Sequence, residues 1–281
     1  LTVNGTSVGI NEGKATEYVK KLAASYDTAY KAKSLKTSYG KTVSITGGSY
    51  GYKINQAKEA ATLVSLIKNG EQTSREPEYS QKGASWTGND YGNTYVEINL
   101  TAQHLYFYVK GKLVVQSDFV SGNAAKGWST PAGAYSITYK QRNATLKGQG
   151  YATPVSYWMP FNGGIGLHDA NWRKTFGGTI YKTNGSHGCV HLPPAVAKTI
   201  YENISAGDPV LCYHLDGTES ASTSGTKKDE TAATTAAATT AAPKTTAAPT
   251  TAAPETTAAP TTAAPTTEAP TTPAAGGDQE S

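Results

Sequence analysis

The sequence predicts a mostly β domain carrying one short helix, preceded by a small α+β module and followed by a disordered tail. Three observations predict this. Apolar residues alternate with period two in successive runs between Thr94 and Leu215, they recur at helical spacing in two runs before Gly70, and from Asp216 the composition collapses to Thr, Ala, Pro and Ser. The expected boundaries are 1–85 for the module, 94–215 for the β domain and 216–281 for the tail. A chain of 281 residues buries a core without disulfide or metal staples. It holds no stretch near the roughly 20 consecutive apolar residues that a bilayer-spanning helix needs. The first residue is Leu1 and the single Met159 lies deep inside, so an upstream portion with a signal peptide or anchor is expected to precede this chain.

In order along the chain, Lys14 to Tyr30 sets Tyr18, Val19, Leu22, Ala23 and Tyr26 at helical spacing behind Asn11 and Gly13, which predicts a surface helix. TSYGKTVSITGGSYGYKI alternates Val43 and Ile45, then Tyr52 and Ile54, around Gly47-Gly48, the chemistry of a hairpin. A second helix follows, with Ala57, Ala60, Ala61, Val64, Leu66 and Ile67 apolar and Gly70 as its stop. From Thr94 the runs YVEINL, HLYFYV and LVVQSDFV predict a three-stranded meander, its last turn at Lys110-Gly111-Lys112. STPAGAYSITYK and PVLCYHL predict further strands. Ala195 to Ile204 predicts the short helix, opened by Pro193-Pro194. Dense Gly and aromatic residues from Tyr151 to Gly178 predict long loops. In the tail, near-repeats of TTAAP carry too little apolar surface to offset chain entropy and favour extended conformers.

Charge divides the chain. Residues 1–215 hold 22 Lys and Arg against 13 Asp and Glu, a net +9, whereas residues 216–281 hold 3 against 8, a net −5. The lysines are spread over helices and loops with no dense arginine run, so a nucleic-acid partner is not expected, and an anionic polymer fits the basic body as well. Two cysteines, Cys189 and Cys212, make neither a disulfide framework nor a CxxC motif.

The chemistry concentrates in GIGLHDANWRKTFGGTIYKTNGSHGCVHLPP, which holds three of the five histidines and Cys189. A thiol acts as a nucleophile only as thiolate, a form that a nearby imidazolium or converging backbone N–H groups stabilise. Gly185, Ser186 and Gly188 let the backbone around Cys189 bend as an oxyanion hole requires. His168 lies far enough upstream to come from another strand and face the sulfur, which makes a Cys/His acyl-transfer site. Two other readings stand beside it: Cys189 as a packed small hydrophobe, and His187, Cys189 and His191 as an H-x-C-x-H metal site with His168. Cys212, in PVLCYHL, reads as a core residue.

His168, then 17 intervening residues, then Ser186-His187-Gly188-Cys189 resembles the signature of the L,D-transpeptidase catalytic domain, the YkuD domain. YVEINLTAQHLYFYVKGKLV, STPAGAY and GDPVLCY are similar to that domain's opening strands, its TPTGTF-type turn and its closing strand. The likeness covers roughly residues 94–215, and the segment before it is similar to the C-terminal part of a peptidoglycan-binding domain.

The resemblance implies a β-sandwich-like catalytic domain of YkuD type and a cysteine acyltransferase acting on peptidoglycan stem peptides as donor and acceptor. Cys189 would attack the carbonyl of the third stem residue, expel the terminal D-alanine as a thioester forms, and pass the acyl group to an amine to give a 3→3 cross-link. Hydrolysis or D-amino-acid exchange at the same bond, and a degenerate wall-binding protein, are the alternatives. His168 would be the general base, its tautomer set by a backbone carbonyl such as that of Asp169. The backbone N–H groups of His187, Gly188 and Cys189 would hold the oxyanion, with Ser186 and the His187 ring shaping the site. Tyr157, Trp158, Gly163, Gly164 and Trp172 would line the substrate groove. His191 stands where the family usually carries Asn or Arg, so altered substrate affinity is expected there. The resemblance also implies inhibition by carbapenem-type β-lactams, no metal or other cofactor, and an extracellular place at the wall of a Gram-positive-like bacterium. A catalytic Cys189 is expected to alkylate well below the pH of an ordinary thiol.

Overall fold

The structure, a computed structural model, describes residues 2–4, 7–148 and 150–219. Most of the tail, 220–281, lies outside the described residues.

The chain begins with the hairpin β1 (Thr2–Asn4) and β2 (Ser7–Gly9), then α1 (Glu12–Tyr26), β3 (Lys33–Lys36), β4 (Thr42–Ile45), β5 (Lys53–Ile54), α2 (Gln56–Asn69) and β6 (Tyr79–Gln81). Asn11 and Asn55 cap the two helices through their side chains, and Gly70 ends α2 in the left-handed conformation. Helix α1 buries Ala15, Val19 and Ala23, one residue every turn, so Tyr18 and Tyr26 point to solvent instead of joining the apolar stripe expected of them.

The hairpin expected around Gly47-Gly48 does not form. Strand β4 pairs back with β3, and β5 pairs with β6. Gly48 instead bridges Ala134 of the following domain, whose carbonyl oxygen would lie 2.0 Å from a Cβ at position 48. The glycine pair serves a close backbone approach between domains, a use of glycine that looks the same in sequence as a turn.

The β domain contains β7 (Tyr95–Asn99), β8 (His104–Val109), β9 (Lys112–Asp118), β10 (Gly133–Ser136), β11 (Gln141–Gly148), β12 (Tyr151–Asn162), β13 (Ile165–Asp169), the single-turn α3 (Tyr181–Asn184), β14 (Val190–Leu192), α4 (Pro194–Asn203) and β15 (Pro209–Tyr213). The meander β7–β8–β9 is present, and β15 joins it in parallel with β7, giving a five-stranded sheet in the order β10-β15-β7-β8-β9. A four-stranded sheet, β11-β12-β13-β14, faces it. The core between them takes Ile98, Leu105 and Phe107 from one sheet, Met159, Leu167 and Val190 from the other, and Ile200 from α4; Cys212 is buried in it.

The long loops expected from Tyr151 to Gly178 are corrected for most of their length: twelve residues of this stretch form β12 and five form β13, joined by the tight turn at Gly163-Gly164, and only the part from residue 170 onward is loop. Tyr157 and Trp158 take opposite faces of β12, so the aromatic density here marks a strand covered on both sides.

The central strand β7 is covered on both sides. The outer face of its sheet meets the module through Leu35, Ile45 and Tyr50, which pack on Ala134 of β10 and on Leu211 and Tyr213 of β15. Glu97 of β7, fully buried, accepts from the Ser38 N–H (2.9 Å) and hydroxyl (2.8 Å) and from the Tyr213 hydroxyl (2.6 Å). A buried carboxylate is tolerated only when its lone pairs are met in this way.

Candidate active site

The candidate site is the outer face of the four-stranded sheet. In its register Trp158 of β12 lies beside His168 of β13, and His168 beside His191 of β14. Side chains alternate, so these three rings share one face while Met159, Leu167 and Val190 turn to the core. Cys189, two residues before His191, belongs to the same face, in the row that Gly166 occupies on β13. Gly166 leaves that row open: a Cβ there would meet the Trp158 ring, the Met159 carbonyl and the Pro160 Cα, each at 2.7 Å. Cys189, His168, His191, His187, Trp172 and Arg173 line one cavity of about 500 Å³.

The backbone around Cys189 is held on both sides. The segment Val120–Asn123 bonds the stretch from Ser186 to His191, through Ser186 N–H to the Ser121 carbonyl (2.9 Å) and His191 N–H to the Val120 carbonyl (2.9 Å). Ser186, buried, donates to the Cys189 carbonyl (2.6 Å) and accepts from the Gly188 N–H (3.0 Å). Thr130 donates to the Gly188 carbonyl (2.6 Å) and accepts from the Gly122 N–H (3.0 Å). Gly188 has φ +120°, and a Cβ on it would also press on Ile165 at 3.0 Å, so the bend before the cysteine demands glycine. Since the Gly188 N–H is engaged by Ser186, it is not one of the converging donors expected around an oxyanion.

The two imidazoles are fixed in opposite senses. His168 Nδ1 sits 2.9 Å from the Asp169 carbonyl, which can only accept, so Nδ1 carries the proton and Nε2 is the basic nitrogen. Burial holds His168 below the ordinary histidine range. At His191 the Arg173 Nε–H donates to Nδ1 at 2.8 Å, so the proton of the neutral ring is on Nε2. Burial, reinforced by His168 and Arg173, pushes His191 down to about 2, and it stays neutral. The rings pack edge to face, 4.7 Å between centroids. Arg173 is held in turn by the Asn184 carbonyl (2.8 Å).

Half-buried Cys189 points its thiol at the Gly164 carbonyl (3.6 Å). Desolvation pushes that thiol up to about 11, offset in part by the Gly166 N–H. The resting pair is therefore thiol and neutral imidazole, which runs against the expectation of early alkylation, since desolvation outweighs the one backbone donor that lowers the thiol.

Of the expected groove residues, Trp172 lines the cavity, its ring 5.5 Å from that of His191, and Trp158 backs His168 at 5.9 Å. Gly163 and Gly164 form the turn over the sulfur. Tyr157 does not belong there: it has the opposite parity to Trp158, packs against the core and Tyr201 (5.4 Å), and lies under Arg142. The His187 ring stacks on Trp128 at 4.2 Å. Among the described residues no three His, Cys, Asp or Glu side chains are grouped to hold a metal ion. Arg173 and Thr130 were missed by sequence reasoning, though Arg173 is the lone arginine of the chemistry-bearing segment and Thr130 stands in the STPAGAY motif.

Residues 93–212 match the family described as the L,D-transpeptidase catalytic domain, and residues 2–75 match the "Putative peptidoglycan binding domain". Among solved structures, a cysteine-to-serine variant of the Enterococcus faecium L,D-transpeptidase is 33% identical, with a TM-score of 0.63 over 75% of this chain and 86% of that one. The Ldtfm–avibactam carbamoyl enzyme is 34% identical, with a TM-score of 0.63 over 75% of this chain and 84% of that one. Comparison with curated proteins gave no match. With the family's histidine and its Ser-His-Gly-Cys run brought to one cavity on a matching fold, the chain belongs to the L,D-transpeptidase family.

Proposed function

We propose that this chain forms 3→3 cross-links between peptidoglycan stem peptides through a thioester on Cys189. The observation that carries the reading is the placement of Cys189 and His168 on one sheet face and in one cavity, with His168 Nε2 left basic by the Asp169 carbonyl.

As the donor peptide fills the cavity, His168 Nε2 takes the thiol proton and Sγ attacks the carbonyl carbon of the third stem residue. The backbone N–H groups of His187 and Cys189, on either side of the engaged Gly188, receive the oxyanion. Collapse breaks the bond to the terminal D-alanine, whose nitrogen leaves with the proton from His168. An acceptor amine then attacks the thioester, gives its proton to His168, and the sulfur leaves and is reprotonated.

His191 contributes an Nε2–H donor, fixed by Arg173, at the position where the family usually offers an amide or guanidinium. Thr130 and Ser186 hold the backbone on which the oxyanion donors lie. The carbamoyl enzyme that Ldtfm forms with avibactam supports a site open to covalent acylation, and the reading expects carbapenem-type β-lactams to inhibit by acylating Cys189. The reading sets the enzyme outside the cell, in the wall of a Gram-positive-like bacterium.

The test is a donor tetrapeptide stem incubated with an isotopically labelled acceptor stem. A dimer joined through the third residues, with one D-alanine released per cross-link, is expected. Release of D-alanine with only free tripeptide formed would contradict the cross-linking assignment in favour of hydrolysis.

A further inference from the structure

A second cavity, of about 440 Å³, lies where β3 and β5 of the module meet the segment that leads to β7, and its walls include Tyr52, Trp86, Lys33 and Asp90. Trp86 is 51% exposed and does not behave as a loose surface side chain. Its inner face stacks on Tyr52, 3.6 Å between centroids at 21°, and Tyr79 closes on both rings at 5.5 Å. The loop carrying it is tied down: the Ala84 N–H donates to the Asp90 carbonyl (2.8 Å) and to the Tyr50 hydroxyl (2.9 Å), and the Ser85 hydroxyl donates to the Thr87 carbonyl (3.0 Å). Beside this rigid aromatic plate the wall is polar and carries two lysines, Lys31 and Lys33, against one carboxylate, Asp90. Lys33 and Asp90 form an ion pair that is almost fully buried, and the Thr28 hydroxyl donates to the same Asp90 oxygen.

We infer that this cavity binds the glycan strand of peptidoglycan, as a chain of neutral N-acetylated pyranose sugars. This rests on the proposed function for the identity of the polymer, and goes beyond it in naming a site away from the stem-peptide cavity. The warrant is complementarity. A fixed indole face left half in water is apolar area awaiting cover, and a pyranose ring presents a flat array of C–H groups to cover it. Its rim of hydroxyl and acetamide groups then meets Asp90, Lys33, Asn89 and Ser34, all on the cavity wall. Since Lys33 comes from the module and Asp90 from the connecting segment, the site is complete only with the module docked.

The test uses the whole chain, titrated calorimetrically with an N-acetylglucosamine oligosaccharide and co-sedimented with purified sacculi. Avibactam carbamoylation of Cys189 serves as the control for folding. Wild type is expected to bind the oligosaccharide, and Trp86→Ala to weaken that binding at least about tenfold, in line with roughly 1.4 kcal/mol or more of lost stacking, while carbamoylation continues at the wild-type rate. Should Trp86→Ala lose carbamoylation too, Trp86→Phe decides: intermediate affinity sustains the proposal and wild-type affinity overturns it. Absence of oligosaccharide binding in carbamoylation-competent wild type overturns this site and leaves the acyl-transfer reading intact. Loss of stem-peptide cross-linking with oligosaccharide binding retained does the reverse.

Discussion

The two cavities are built from contrasting materials. The one on the four-stranded sheet gathers titratable groups and then removes their charge: His168 and His191 are neutral, each locked in one tautomer by a single partner, and Cys189 rests as a thiol. The one beside the module sets a salt bridge, Lys33 with Asp90, and a second lysine, Lys31, next to an aromatic plate. A site that moves protons needs groups poised to change state, whereas a site that only holds a ligand needs groups that do not. The difference gives each cavity its own signature under mutation and pH.

The largest expected effect is at His168. His168→Gln keeps a hydrogen-bonding side chain but has no basic nitrogen, and kcat/KM for stem-peptide transfer should fall by about 10²–10⁴. Unchanged kcat/KM would remove His168 as the base. Arg173→Leu should cost less, about tenfold, since it frees His191 from its tautomer without touching the reacting atoms. A positioning role predicts that His191 also becomes easier to protonate, so that an inhibition absent from the wild type appears at acid pH, still below the ordinary histidine range because burial continues to hold the ring down. A loss that is the same at every pH would make Arg173 merely structural.

Thiol reactivity sharpens the contrast further. With its pKa raised to about 11, free Cys189 should react with iodoacetamide slowly at neutral pH, the rate climbing steadily toward pH 11. A plateau reached below pH 8 would show a thiolate already present at rest. The smallest effect concerns stability. His191 is neutral when folded and titrates near 6.5 when unfolded, so the unfolded chain binds the extra proton below that pH. The stability contribution is present above about 6.5 and is lost as pH falls toward 2, at up to about 1.4 kcal/mol per pH unit. His191→Asn should flatten the fall in stability between pH 6 and 4, measured by urea unfolding, relative to wild type.

Much of this was legible in the residues. Period-two runs located β7, β8, β9 and β15, and the Ser-His-Gly-Cys run with His168 located the candidate site, because both signals are local. What escaped were features set by pairing between distant segments. Whether Tyr157 or Trp158 faces the cavity depends on a parity fixed only when Trp158 pairs with His168. Gly48 is a turn residue or a contact residue according to whether Ala134 lies against it. Arg173 gained its place only when Nδ1 of His191 was brought within 2.8 Å. Burial likewise overrode the sequence-based expectation for the thiol, since desolvation depends on what covers the sulfur and not on which residues flank it.

The central claim is that Cys189 is the acyl-accepting nucleophile, and intact-protein mass spectrometry after incubation with a carbapenem tests it most directly. One adduct per wild-type chain and none on folded Cys189→Ala is the predicted result. A folded wild type that stays unmodified, or an adduct that persists in Cys189→Ala, would contradict it.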